Sequence, residues 1–319
     1  MTDDRKPWEG IESPEPCVAA LGLFDGVHIG HRAILSKTCE RSAEAGLPSL
    51  VLSFRNHPQT VLSPPGKPPP RLLVTPERRA ELIREMGINQ VLLPEFTREW
   101  SQTRAESFAA DFLVNYLKVR HVVIGFNYCF GRKAEGRAEQ MEEFGERFGF
   151  GVGVVEPVKA GDGDVSSTRI RDHLLAGEIQ EAALLLGQPH ELSGVVIPGD
   201  GRGKALGYPT ANIEPDLAPL IPEGVYAVNV LMERTGAKAV RLAPGMFFLG
   251  PRKTFGETDQ DRTAEVHLID YEGDLYGKRL RLEFLGRTRG AMKFDGPEKL
   301  VEQLGKDRED CEVLFGRRI

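Results

Sequence analysis

What most constrains the fold of this chain is a change of texture at one point. Up to about Gly187, short apolar runs alternate with helical stretches; beyond it the apolar runs continue and the helices stop. In the first part CVAALGLF (17–24), SLVLSF (49–54), INQVLLPEF (88–96) and VRHVVIGF (119–126) each read as a buried strand. The stretches between them carry helix punctuation. Residues 30–45 end at Gly46, a residue suited to a left-handed cap. Thr75 is a good N-cap, Pro76 suits the first helical position, and Gly87 suits the C-terminal end. Residues 103–119 open with a Thr103/Glu106 capping box and set Phe108, Phe112, Tyr116 and Leu117 near one face. SPPGKPPP (63–70) must be a surface loop. Strands alternating with helices predict a parallel sheet covered on both faces.

From about Glu191 to Leu285 the runs are SGVVI, PTANI, GVYAVNVLM, AKAVRLA, AEVHLID and KRLRLEFLG, broken by Gly and Pro. That pattern predicts an antiparallel barrel or sandwich. A helix with Pro297 in its first turn follows. The expectation is therefore α/β followed by β, with domains at 1–187 and 188–319, a division suited to 319 residues.

Composition excludes several function classes. The net charge is −6 and there is no long basic run, which argues against a nucleic-acid-binding surface. Cys17, Cys39, Cys129 and Cys311 are scattered without a CxxC, which argues against a disulfide framework or a zinc cluster. No run of about 18 apolar residues is present, so no membrane span is expected. The opening MTDDRKPWEG is polar and unlike a signal peptide. These features lead us to expect a cytoplasmic protein.

Chemistry concentrates first in LGLFDGVHIGHRAIL (21–35), where His28 and His31 flank Gly30. A metal site needs further ligands at matching spacing, and only His57 is near in sequence. Packing suits one histidine better than two on a glycine-bounded turn. The third reading is an anion site: a strand ends, Asp25-Gly26 turns the chain, and a helix begins with free N–H groups. VSSTRIRDHLLAG (165–177) repeats that physics, with Ser166 and Ser167 as N-cap residues, Thr168 in the first turn, and Arg169 and Arg171 able to bond phosphate. Alone it reads as a capped helix with solvated arginines; beside the first turn it favours phosphate.

LFDGVHIGHRAIL and SSTRIRDHLLAG resemble the paired signatures of the HxGH nucleotidyltransferases. SFRNHPQTVL and GFNYCFGRKAEG between them, and GYPTANI in the β-rich half, extend the resemblance to the prokaryotic bifunctional riboflavin kinase/FMN adenylyltransferases. The resemblance runs from about Cys17 to the final helix. It implies a Rossmann-like first domain and a flavokinase barrel followed by a helix. It also implies two reactions, riboflavin to FMN and FMN to FAD, using ATP with Mg²⁺ and releasing pyrophosphate in the second.

Matched motif by motif, His28 and His31 would contact the ATP phosphates in the adenylyltransferase. Ser166, Thr168 and Arg171 would bind the end that leaves, and Gly22, Phe24 and Asp25 would shape the adenosine side. Asn127 and His57 would face FMN, although His57 reads equally as a turn histidine bonded to backbone. In the kinase, Gly199, Gly201, Gly203 and Lys204 would wrap ATP phosphates, and Thr210 and Asn212 would hold Mg²⁺. Glu265 would accept the proton of the riboflavin 5′-hydroxyl, and Arg289 and Phe294 would border the flavin. The chain departs from the family at Asn56 and Asn127, where Pro and Asp are usual. It departs again at Phe248, Lys253 and Ala291, where Asn, Pro and an acidic residue are usual. The last three alone support an alternative, a monofunctional FMN adenylyltransferase with a degenerate barrel; a non-catalytic flavin-binding protein is a further one. The implied partners are riboflavin, FMN and ATP, with no nucleic acid and no membrane, in a monomer or weak homo-oligomer.

Overall fold

A computed structural model of the chain describes residues 6–11, 15–199, 201–234, 236–251 and 262–316. Its internal contacts divide it into two units, Met1–Ser166 and Ser167–Ile319.

The first unit is built on five strands, β1 (Cys17–Leu21), β2 (Ser49–Leu52), β3 (Gln90–Leu92), β4 (Val119–Gly125) and β5 (Gly151–Val155). They form one sheet in the order β3-β2-β1-β4-β5, and every pairing is parallel. β1 lies at the centre and is buried throughout. Its side chains alternate between two cores, as a period of two requires. Cys17, Ala19 and Leu21 join Trp100, Phe108, Phe112 and Leu113 on one face; Val18 and Ala20 join Ile34, Leu35 and Ile83 on the other.

The helices of this unit are α1 (Ile29–Ala45), α2 (Gln59–Leu62), α3 (Pro76–Glu85), α4 (Ala105–Ser107) and α5 (Ala138–Phe148). α1 ends on Gly46 at φ +63°, and the Thr75 side chain caps α3 by accepting from the Arg78 N–H. One expectation needs correcting. The 103–119 stretch is not a single capped α-helix: α4 passes into a π-helix over Phe108–Tyr116, and the Thr103/Glu106 capping box does not form. Arg104 stands at the cap position, Glu135 accepts from the Ala105 N–H at 2.8 Å, and Glu106 instead pairs with Arg147 at 2.8 Å. A carboxylate from a distant turn displaces the local one, a choice that local spacing cannot reveal. The apolar face survives the change of helix type: Phe108, Phe112 and Leu117 are buried and Tyr116 packs against them. α5 and β5, which sequence reading missed, complete the unit before a small hairpin of β6 (Lys159–Ala160) and β7 (Gly163–Asp164).

The second unit begins with α6 (Ser167–Ala176) and α7 (Ile179–Leu186), which precede the textural boundary at Gly187. They belong with the barrel by contact because α7 packs on two of its strands, β8 (His190–Ile197) and β13 (Arg279–Gly290). The remaining elements are α8 (Arg202–Ala205), β9 (Ala211–Pro215), β10 (Gly224–Arg234), β11 (Ala237–Pro251), β12 (Arg262–Leu268) and α9 (Pro297–Phe315). The six strands close into a barrel, β10-β11-β12-β9-β8-β13, with every pairing antiparallel. Tyr226, Phe247 and Phe284 are fully buried, and the last two rings meet edge to face at 5.2 Å. α9 is tied to the barrel by Cys311, packed with Ala227, Met246 and Leu285, and by the buried Asp307, which takes both arms of Arg289 at 2.7 and 2.6 Å.

Burial holds the His190 imidazole, packed 5.7 Å from the Phe284 ring, down at about 4. The unfolded chain binds that proton below about pH 6.5 while the folded one does not, so stability falls as pH drops from about 6.5 to 4. Urea unfolding at several pH values is expected to show this loss, up to about 3 kcal/mol from His190, and His190→Gln is expected to flatten that part of the curve.

Candidate active sites

The turn from β1 into α1 is the first site. Phe24 and Val27 are not glycines yet hold φ of +54° and +44°, and both are buried. Such conformations cost about 1–3 kcal/mol each and persist where surrounding contacts over-determine them. Those contacts are present. Both Asp25 carboxylate oxygens accept from the Leu73 N–H, at 2.9 and 3.1 Å, and Asp25 is 1% exposed. Ser53 Oγ donates to Leu23 O at 2.7 Å, and Gly22 N donates to Leu52 O at 3.2 Å. Arg32 returns from α1 to donate to Val27 O at 3.1 Å.

His28 is the N-cap of α1: its Nδ1 accepts from the His31 N–H at 3.2 Å, which puts the proton of a neutral ring on Nε2. The two imidazoles stack with centroids 3.5 Å apart and planes 16° from parallel. A Cβ at residue 30 would lie 3.2 Å from the His28 ring, so Gly30 makes room for that ring. Burial lowers the His31 pKa well below its ordinary value, with His28 and then Arg79 adding to the effect, and His31 Nδ1 is buried without a hydrogen-bond partner. Among the described residues no group of three or more His, Cys, Asp or Glu side chains is placed to hold a metal. The turn thus offers a rigid, stacked pair of imidazoles, with His31 kept unprotonated by burial.

Other residues expected around this chemistry are placed as follows. His57 Nδ1 accepts from the Gln59 N–H at 3.1 Å. Asn56, next to it, holds the main chain of Phe96 from both sides, at 2.8 and 3.0 Å, and so rigidifies the turn. Asn127 is exposed in the turn after β4. Ser166 ends the first unit, and Thr168 and Arg171 lie in the first turns of α6, in the second unit.

The second site is on the barrel. β12 pairs with β9 so that Glu265 lies opposite Asn212, and with β11 so that Glu265 lies opposite Phe248. Residues opposite one another in a ladder share a sheet face, so Asn212, Glu265 and Phe248 are side by side. Val266 belongs to the opposite, fully buried face. Thr210 Oγ1 donates to the Glu265 carboxylate at 2.9 Å. The expected trio of Thr210, Asn212 and Glu265 is therefore together. Gly199 and Gly203 lie against it: a Cβ at 199 would sit 1.8 Å from the Asn212 amide, and one at 203 would sit 2.3 Å from Tyr208 O and 3.2 Å from Thr210 Oγ1. Gly201 turns the chain at φ +68°, and Lys204 is exposed on α8.

Alternation along the strand sets His267 on the face of Glu265, but sequence reading gives it no role. Its Nδ1 meets Pro209 O at 2.8 Å and its ring meets Tyr208 at 5.3 Å, bracing the segment that carries Thr210. Its place two residues from Glu265 was the available signal. Arg289 is engaged with Asp307, and its guanidinium lies 5.8 Å from the Phe294 ring centroid. Ala291 is exposed just beyond β13, and Lys253 lies outside the described residues.

Comparison with known proteins matches the FAD synthetase family model over residues 10–169 and the riboflavin kinase family model over residues 186–315. A protein of Listeria monocytogenes named bifunctional riboflavin kinase/FMN adenylyltransferase is 36% identical over 94% of this chain and 93% of its own. Proteins of the same name from Bacillus subtilis and Escherichia coli are 32% and 33% identical, each over 95% of this chain and 94% of their own. A crystal structure from Streptococcus pneumoniae, described as a macrolide-efflux protein, superposes with a TM-score of 0.84 at 31% identity over 98% of both chains. It shares the fold throughout, whereas among the described residues no helix here is long and apolar enough to cross a membrane.

The cap made by His28 yields a prediction that separates its structural part from any other. His28→Ala leaves the His31 N–H without its acceptor and is expected to lower stability by about 1 kcal/mol, whereas His28→Asn, a good cap, is expected to restore it. Denaturant unfolding of the two variants checks this.

Proposed function

We propose that this chain, which belongs to the bifunctional riboflavin kinase/FMN adenylyltransferase family, runs its two reactions through the residues of the two sites above. It is a transferase that phosphorylates riboflavin to FMN and adenylylates FMN to FAD. We assign adenylyl transfer to residues 1–187 and the kinase to 188–319. In support, α7 ends at Leu186 and the riboflavin kinase match begins at residue 186.

For the kinase, the observation that carries the assignment is the Thr210–Glu265 bond, which joins residues 55 apart in sequence. Glu265 takes the proton of the riboflavin 5′-hydroxyl as that oxygen attacks the γ-phosphorus of ATP and ADP leaves. The Thr210 hydroxyl, by donating to the carboxylate, fixes its orientation and keeps its own lone pairs free to accept. A hydroxyl, an amide and a carboxylate oxygen suit Mg²⁺, a hard cation that takes its other ligands from phosphate and water. Thr210 and Asn212 would hold it, and it would neutralise phosphate charge. Gly199 and Gly203 let the phosphate-binding backbone pass close to these side chains. Lys204 adds charge at that loop, and Arg289, held by Asp307, borders the flavin with Phe294.

For adenylyl transfer, an oxygen of the FMN phosphate attacks the α-phosphorus of ATP, and the bond to pyrophosphate breaks. No covalent bond to the protein forms. His28, with its proton on Nε2, and the neutral His31 donate to phosphate oxygens where charge gathers. Their stacking and the clamped turn set their positions in advance. Gly22, Phe24 and Asp25 border the adenosine, Asn127 and His57 the FMN, and Ser166, Thr168 and Arg171 the departing pyrophosphate. These assignments rest on motif positions. The four free cysteines suit a reducing cytoplasm, where we place the enzyme as a monomer or weak homo-oligomer.

The test is to incubate the protein with riboflavin, ATP and Mg²⁺ and resolve the flavins by chromatography. FMN and FAD are both expected; FAD from supplied FMN but nothing from riboflavin would remove the kinase assignment. Glu265→Gln is expected to slow FMN formation by about 10²–10⁴-fold while leaving FAD formation from FMN intact. His28→Asn is expected to do the reverse. Gly199→Ala, which must push aside the Asn212 amide, is expected to act like Glu265→Gln, through a raised KM for ATP as well as a lower kcat.

A further inference from the structure

Arg79, on α3, belongs to none of the motifs used above, and among the described residues it is the largest fully buried side chain. A buried guanidinium is costly unless its donors are met. Here one nitrogen of three is met. Nη2 donates to Phe54 O and, at 3.4 Å, to Arg55 O, while Nε and Nη1 are buried without hydrogen-bond partners. The bonds it makes go to main-chain carbonyls just beyond β2, in the segment that leads into Asn56 and His57.

The group nevertheless stays charged at neutral pH. Burial pushes its pKa down only to about 10, with the nearby Asp25 charge opposing the fall. Asp25 is itself committed to the Leu73 N–H through both oxygens. Arg79 also helps to keep His31 unprotonated, and His31 Nδ1 is a third buried polar atom without a partner, beside Arg79 Nε and Nη1. A positive charge with two unmet nitrogens therefore lies close to the histidine turn. A simple clamp between α3 and the end of β2 would need only Nη2, and a neutral amide would serve. In a poorly solvated interior a charge acts over several ångströms without contact.

We propose that Arg79 is a positioning residue for adenylyl transfer: its buried charge draws the phosphate groups toward the histidine turn, and its bonds to Phe54 and Arg55 hold the Asn56–His57 segment beside them. The proposal rests on the assignment of His28 and His31 to the phosphate chain.

The test uses the full chain and reads inhibition of FAD formation from FMN by two probes, pyrophosphate, which is anionic, and adenosine, which is not. In Arg79→Met the inhibition constant of pyrophosphate is expected to rise about tenfold or more while that of adenosine stays within about twofold, and Arg79→Lys is expected to restore most of the pyrophosphate effect. Denaturant unfolding followed by the fluorescence of Trp8 and Trp100, the two tryptophans of the chain and both in the core of the first unit, reports that the variant is folded. Should Arg79→Met fail that control, Arg79→Gln is read by the same criteria. Unchanged pyrophosphate inhibition, a parallel rise for both probes, or no recovery with Lys would each overturn the proposal and leave a clamp. A wild-type protein unable to make FAD from FMN would remove the reading beneath it, a result distinct from an active wild type with indifferent variants.

Discussion

The first unit depends on a strained turn. Placing two imidazoles face to face at the start of α1 requires Phe24 and Val27 to adopt left-handed backbone angles that L-residues avoid. Asp25 makes this possible by gripping the Leu73 N–H with both oxygens, which joins the turn to the approach to α3. His28 then closes the arrangement by capping the helix it begins. Strain of a few kcal/mol at such a site is held by contacts that would otherwise only stabilise the fold.

The barrel solves its problem by register. Two antiparallel ladders, β12 with β9 and β12 with β11, set Glu265 between Asn212 and Phe248, and a one-residue slip would turn Glu265 into the packed interior and Val266 outward. The rings of Tyr226, Phe247 and Phe284 resist that slip, since all three are fully buried within the closed barrel. The chemistry on one face is thus secured by packing on the other. At the position where the family resemblance implies an amide, this chain sets Phe248 beside Glu265, and the carboxylate keeps its bond from Thr210.

Much of this was legible in advance. Gly46 and Thr75 signalled helix ends through local chemistry, and both act as predicted. The trio Thr210, Asn212 and Glu265 was legible through the family pattern. Failures came where a distant group overrode a local one. Glu135 took the cap for which Thr103 and Glu106 are spaced, and the helix that followed became a π-helix without losing its apolar face. Arg79 was invisible for a similar reason. Within PERRAELIRE it reads as one more charge on a solvated helix, and nothing local distinguishes it from Arg78, which pairs with Glu81 and Glu85.

By itself the sequence determined the two kinds of architecture, a covered parallel sheet and an antiparallel barrel or sandwich, because the periodicity of apolar residues decides what each segment can bury; closure into a barrel was implied only by the family resemblance. It also determined which residue types were present for phosphate chemistry. Tertiary structure alone decided which of them meet: that His28 spends its Nδ1 on capping, that Gly30 and Gly199 make room for a ring and an amide, and that Arg79 is buried with two nitrogens unmet. The physical reason is range. Caps and periodicity act within a few residues, whereas burial, register and the field of a charge are set by residues that folding brings together from far along the chain.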